Sequence, residues 1–295
     1  MLTIAYTSPG VPPEWIAAHG LDPLRLQPAG AAVAGPVPPT AGICPFMRAS
    51  LNQAAADDRI RGVVVGGRCD QMRRGQERLR DTGKPVFCLH VPATWQSESA
   101  LSLYRGELER LSRFLVALGG TPPGRETLQS AIRERETALR PAPIATAGEG
   151  TVPVAVTGGP RSRLDEGLLD LIAAQGGRVV LDASEMGALS EPPPFDGTAT
   201  DPLRALAESY LRKLPGVARR PNDGLLSWLA DRVRQSGAKG VLLLRYLWCD
   251  LWHAEVERIR RRFGLPLLDL DLDGEDLLEE GRTRTRIAAF MEMLR

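Results

Sequence analysis

The chain has 295 residues, 43% of them hydrophobic and 25% charged, the proportions of a folded globular protein rather than a disordered one. With 37 basic and 36 acidic side chains the formal net charge is +1, so no global field draws nucleic acid or anionic lipid to it. The start, MLTIAYTSPGVPPEW, lacks a basic region followed by a long apolar core, and no later run has the length of a membrane helix; a cytoplasmic protein with no membrane and no nucleic acid as partner is expected.

In chain order, residues 2–6 predict a first strand, residues 13–19 a short helix opened by proline and stopped by Gly20, and residues 23–26 a second strand. A Pro/Ala/Gly-rich loop over 27–42 delivers Cys44 to a helical segment at 45–56. Strand 62–66, helix 70–82 and strand 85–91 complete an alternating β/α unit. Two long helical patterns follow over 98–140, split by the breakers Gly119-Gly120-Thr121-Pro122-Pro123, and read as a helical subdomain. A second alternation begins with strand 152–156, helix 165–175 and strand 178–182. A proline-rich loop over 190–202 leads to helices at 203–214 and 223–236, then the hydrophobic run 240–250, a buried strand feeding a helix with Cys249 at the turn, helix 251–263, strand 265–270 and a last helix from about Thr283. The expected fold is α/β: two Rossmann-like domains with largely parallel sheets plus a helical segment. The Pro/Ala/Gly-rich stretch 141–150 suits a linker, giving domains 1–145 and 146–295.

Cys44, Cys69 and Cys249 each fall where a strand or loop feeds a helix. Open α/β sheets bind ligands beyond the carboxyl ends of their strands, where helix N-termini present unpaired N–H groups that favour thiolate. Cysteines from both halves therefore imply one shared site at the domain interface. Cys88, inside a predicted strand, reads as an inert buried thiol. Four scattered cysteines without a CxxC disfavour a disulfide framework, a zinc ribbon and thioredoxin-like redox chemistry. Two ligand sets stay open: a cubane iron-sulfur cluster on three thiolates with one iron vacant, or zinc on the same three cysteines plus His253, one helical turn after Cys249. Unrelated cysteines are the third reading.

Several patches resemble the 2-hydroxyacyl-CoA dehydratase and benzoyl-CoA reductase family. Pro13, Glu14, Ala17, Ala18, Gly20, Pro23 and Arg25 resemble its opening segment, with His19 intervening; Cys44-Pro45-Phe46-Met47-Arg48 and Cys69-Asp70 resemble its cysteine-plus-arginine helix start and its Cys-Asp pair. Tyr104, Glu107, Leu108 and Leu111 resemble a family helix, and the C-terminal part resembles the family through Arg220-Pro221-Asn222-Asp223, Trp248-Cys249-Asp250, and Gly281 with Arg284-Thr285-Arg286 before Ala288-Ala289-Phe290. The chain is short for the family, carries Ser8 where some members have a further cysteine, and has Arg282 where glutamine is common. The resemblance implies a 4Fe-4S cluster on Cys44, Cys69 and Cys249. It also implies a related second subunit in a heterodimer, or a homodimer, and an ATP-dependent activator protein that supplies a low-potential electron. The implied reaction is radical dehydration or reduction of an acyl-CoA substrate. A non-catalytic 4Fe-4S relay subunit and a double-cluster reductase of small molecules are the alternatives.

Arg25, Arg284 and Arg286 are candidate substrate-binding residues, the last two because guanidinium forks suit phosphate and sulfide; a solvated helix start is the competing reading. Asp70 and Asp250 are expected to cap helices. Arg260-Arg261-Arg262 reads as an exposed face, Thr157-Gly158-Gly159-Pro160 as a simple turn, and His90 and Trp95 as packing residues. No catalytic residue is assigned.

Overall fold

The computed structural model describes residues 1–30, 35–38, 42–138, 150–163, 167–191, 195, 199–272 and 281–295. The linker expected over 141–150 lies outside the described residues except for Gly150.

The first half carries β1 (Thr3–Tyr6), α1 (Pro13–Ala18), β2 (Asp22–Arg25), α2 (Pro45–Ala56), β3 (Ile60–Gly66), α3 (Asp70–Arg80) and β4 (Val86–Leu89). Its sheet has the order β2-β1-β3-β4 with every pair parallel. The second half carries β5 (Val152–Gly158), α6 (Gly167–Ala174), β6 (Gly177–Ser184), α7 (Pro202–Glu208), α8 (Asp223–Ser236) and β7 (Gly240–Tyr246). It continues with α9 (Asp250–His253), α10 (Val256–Phe263), β8 (Leu267–Leu272) and α11 (Gly281–Met293). Its sheet order is β6-β5-β7-β8, again all parallel. Parallel strands covered on both faces read as unbroken apolar runs, as in Val63-Val64-Val65 and Val241-Leu242-Leu243-Leu244 of β7, every residue of which is buried.

In each sheet the chain moves to one side for the second strand and to the other for the third. The reversal therefore lies between β1 and β3 in one half and between β5 and β7 in the other. These are the points where connections leave on opposite faces and open a crevice at the strand ends.

The two halves interlock. The helices expected as a helical subdomain are α4 (Glu98–Ala117) and α5 (Arg125–Ala138), and α4 instead covers the first sheet: Leu101, Tyr104, Leu108, Leu111 and Leu115 share a core with Ile4, Val64 and Phe87. Leu206, Tyr210, Leu211 and Leu214, from after the second sheet's first two strands, enter that same core. In exchange Phe46 of α2 packs into the second half's core, its ring centroid 5.9 Å from that of Tyr246.

Two expected helices differ from the pattern reading. The segment 203–214 starts as α7, capped by the Asp201 carboxylate on the Arg204 N–H at 2.9 Å. It then widens into a π turn over Ser209–Lys213, where the Tyr210 hydroxyl donates to Glu14 Oε2 at 2.7 Å. The helix expected over 251–263 is divided into α9 and α10 at Glu255. This carboxylate is buried and held by Asn222 Nδ2 at 2.6 Å and Arg258 Nη1 at 2.8 Å, contacts that fix a non-helical turn.

Gly158, the last residue of β5, has φ +125°, and a Cβ there would lie 1.9 Å from the Leu244 carbonyl oxygen of β7. Gly20 has φ +76° but open space around it. Gly158→Ala is therefore expected to lower unfolding free energy by about 3 kcal/mol or more, against about 1–2 kcal/mol for Gly20→Ala, as read by urea titration followed by circular dichroism.

Candidate functional site

Both sheet reversals open on the same pocket. Ser8 and Gly10 after β1, Arg68 and Cys69 after β3, Pro160 after β5 and Cys249 after β7 all line it, and Cys44 joins them from the start of α2. The three junction cysteines thus share one pocket although each belongs to a different part of the chain, and all three are half-buried and unpaired as disulfides. Cys88 is buried in β4 and does not line the pocket.

Each of the three cysteines occupies the N-cap position of its helix. Cys44 Sγ accepts the Met47 N–H at 3.4 Å, and its own backbone N–H donates to Gln71 Oε1 at 2.9 Å, which ties the start of α2 to α3. The expected capping by Asp70 and Asp250 is not observed. Both residues stand one position inside the helix, and neither Cys69 nor Cys249 makes a side-chain cap. The Asp70 carboxylate turns outward to an exposed ion pair with Arg73 instead.

The pocket wall is mainly apolar, with Phe46, Met47, Met72, Leu189, Val217 and Trp252 around the thiols. Burial accordingly pushes the Cys44 and Cys249 thiols up to about 12 and raises Cys69 as well. The thiols also raise one another: Cys69 acts on Cys44, and both act on Cys249. Glu185, just past β6, is a further pocket residue whose carboxyl is raised by burial although Trp252 Nε1–H donates to its Oε1 at 3.1 Å. Its backbone is fixed from two sides, its N–H donating to Gly158 O at 3.1 Å and its carbonyl accepting Arg25 Nη2 at 3.0 Å.

The other sequence candidates lie away from the thiols. Arg25, at the end of β2, spans the two halves through Glu185 and has its guanidinium 5.8 Å from the Tyr6 ring centroid; it does not line the pocket. Arg286 anchors α11 to β8 by donating to Asp269 O at 2.5 Å, and Arg284 is exposed on the same helix. His253 is exposed and outside the pocket lining. Among the described residues, no three or more His, Cys, Asp or Glu side chains are grouped as they would be around a metal ion.

Sequence reasoning missed Glu185 and Arg68, and placed Trp248 only in a family-like patch beside Cys249. Glu185 lies one residue beyond the strand expected at 178–182 once that strand is extended to Ser184, and only the three-dimensional pairing of β6 with β5 brings it to the crevice. Trp248 lines the pocket at φ 71°, a left-handed conformation unusual for a bulky side chain, and it turns the chain from β7 into Cys249. The adjacency of Arg68 to Cys69 was a signal available in the sequence.

Among solved structures the chain is similar to the SBP FpvC of Pseudomonas aeruginosa in complex with Mn2+ (13% identity, 100% of this chain and 98% of that one, TM-score 0.27). It is also similar to a Cd-bound periplasmic metal binding protein of candidatus Liberibacter asiaticus (12%, 99% and 100%, TM-score 0.27) and to the periplasmic zinc binding protein TroA of Treponema pallidum (10%, 99% and 96%, TM-score 0.28). At these scores the likenesses carry no argument about what this chain binds. No curated protein gives a significant match. The model of the family "2-hydroxyglutaryl-CoA dehydratase, D-component" matches residues 10–142 and 137–294, both halves and all three junction cysteines included, and the chain belongs to that family.

Proposed function

We propose that the chain is the iron-sulfur subunit of an enzyme like the 2-hydroxyacyl-CoA dehydratases, acting on an acyl-CoA thioester, with Cys44, Cys69 and Cys249 as ligands of a 4Fe-4S cluster. The observation that carries the reading is the convergence of three cysteines from both halves on one pocket at the two sheet reversals, in a chain of the dehydratase family.

The donor set fits such a group. Three sulfurs line a mainly apolar pocket, all three free of disulfides, and soft thiolate is the ligand that iron-sulfur clusters take. Such a cluster would take thiolate ligands, of which the pocket offers three. The zinc set that includes His253 is less well supported, since that imidazole is exposed and outside the pocket. When bound, a cluster here supplies one-electron transfer at low potential.

The chain's own residues do the rest. The apolar walls exclude water, which strengthens every electrostatic contact with a thioester inside. Burial raises the Glu185 carboxyl above the ordinary carboxylate range, and the Trp252 bond to Oε1 orients it within the pocket. A related second subunit, or a second copy of this chain, and an ATP-dependent activator as electron source belong to the same proposal. A relay subunit with no substrate of its own is the competing reading; there acyl-CoA leaves the visible spectrum of the cluster unchanged, whereas a catalytic subunit responds to it.

Anaerobic purification or reconstitution is expected to give a brown protein with about four irons per chain. Cys44→Ser, Cys69→Ser and Cys249→Ser should each cost most of that iron, while Cys88→Ser keeps it; a colourless wild type holding zinc alone would overturn the assignment. A second expectation concerns the iron-free protein. A thiol whose pKa is higher in the fold than its ordinary 9.0 holds its proton more tightly when folded, so its contribution is intact below about pH 9 and lost as pH rises toward 12. Urea unfolding across that window should show falling stability, and the fall should shrink in the Cys44→Ser/Cys249→Ser double variant.

A further inference from the structure

Buried arginines in this protein are almost all partnered. Arg161 pairs with Asp182 at 2.6 Å, Arg245 grips Asp269 through two bonds of 3.0 Å, and Arg219 donates to the carbonyls of Arg212 and Tyr210 at 3.1 and 3.3 Å. Arg68 breaks this pattern. Its Nε and Nη2 are buried and carry no hydrogen bond among the described residues, and it lines the pocket of the three cysteines. Two glycines crowd the guanidinium from within the same pocket: a Cβ on Gly216 would lie 3.1 Å from Nη1, and one on Gly10 3.8 Å from Cζ. Glu185 acts on Arg68 electrostatically, yet the two form no ion pair.

Buried guanidinium N–H groups left without an acceptor cost stability, a cost that an anion beside them relieves. The pocket itself specifies that anion. Cysteine ligates metal as thiolate, so three cysteines that take up a metal centre place new negative charge in the pocket that the Arg68 guanidinium lines. We propose that Arg68 is the charge-compensating donor of this pocket, its free N–H groups meeting the negative charge that Cys44, Cys69 and Cys249 acquire on holding an iron-sulfur cluster. The inference rests on the cluster reading given above. It adds a positioning residue, acting through the thiolates and sulfides and not on substrate. Its consequence has opposite signs in the two states: Arg68 weakens the empty protein and strengthens the loaded one.

The test compares wild type, Arg68→Met and Arg68→Lys, each with and without anaerobic reconstitution by ferrous iron and sulfide. Thermal melting, the rate of iron release to a chelator, and the cluster midpoint potential by redox titration are read. Empty R68M is expected to melt at or above the wild-type temperature. Loaded R68M is expected to hold iron about 10- to 100-fold less tightly, the effect typical of residues that support metal ligands, with its potential shifted lower. R68K, which keeps the charge but not the fork, should restore the potential more fully than the iron retention. An empty R68M that is destabilised or fails to fold, or a loaded R68M with unchanged retention and potential, overturns this role while leaving the cluster intact. A wild type that takes up no iron and sulfide overturns the cluster reading and this inference with it.

Discussion

The contact of Phe46 with Tyr246 is the constraint on which the site depends. Phe46 stands two residues after Cys44 on α2, in the first half by connectivity, but its ring is buried in the second half's core. Burying an aromatic ring of this kind contributes about 1.5–3 kcal/mol, and it fixes more than stability. It holds the N-terminal end of α2 against the carboxyl end of β7, where Cys249 emerges. Cys44 itself packs against the cores of both halves, and the Gln71 bond ties its backbone to its own half. The reciprocal contact, Leu206, Tyr210 and Leu211 in the first half's core, locks the interface from the other side, with Arg25 bridging to Glu185 between them.

Much of this was legible in the sequence because parallel sheets have a strong signature. Strands buried on both faces show as short apolar runs bounded by turn residues, and β3, β5 and β7 were all readable in that way. The three cysteines were legible as a set because each follows such a run or opens a helix. Two features were not. The division of the helix at Glu255 depends on a buried carboxylate meeting Asn222 and Arg258, which periodicity does not encode. The role of α4 as the cover of the first sheet was missed because an amphipathic helix looks the same whether its apolar face meets a sheet or another helix.

The electrostatics of the pocket follow from its walls. Apolar lining that keeps water from a reactive site also penalises every ionised group within it, which is why the thiols and Glu185 are all raised together. Arg68 brings to the same pocket two buried guanidinium nitrogens, Nε and Nη2, that have no hydrogen bond among the described residues. Loading a metal centre exchanges thiol protons for metal charge, so a pocket hostile to free thiolate becomes compatible with ligated thiolate.

The number of cysteines also has a structural reason. The first half runs strand, helix, strand, helix, strand, cysteine, helix, strand; the second repeats this order with two helices, α7 and α8, before β7 and two, α9 and α10, after Cys249, so Cys69 and Cys249 hold matching places after the third strand of each sheet. Cys44 caps the helix that precedes β3. The matching cap in the second half, before β7, is Asn222 on α8, and it is buried against Glu255. The segment leading to it contributes Leu214, Pro215, Gly216 and Val217 to the pocket instead of a sulfur. Two equivalent halves would bring four cysteines to the pocket; these bring three, and the remaining side is lined by apolar side chains and by the glycine that approaches Arg68. That asymmetry is what a site needs if one side must hold cofactor while the opposite side stays open to a second molecule.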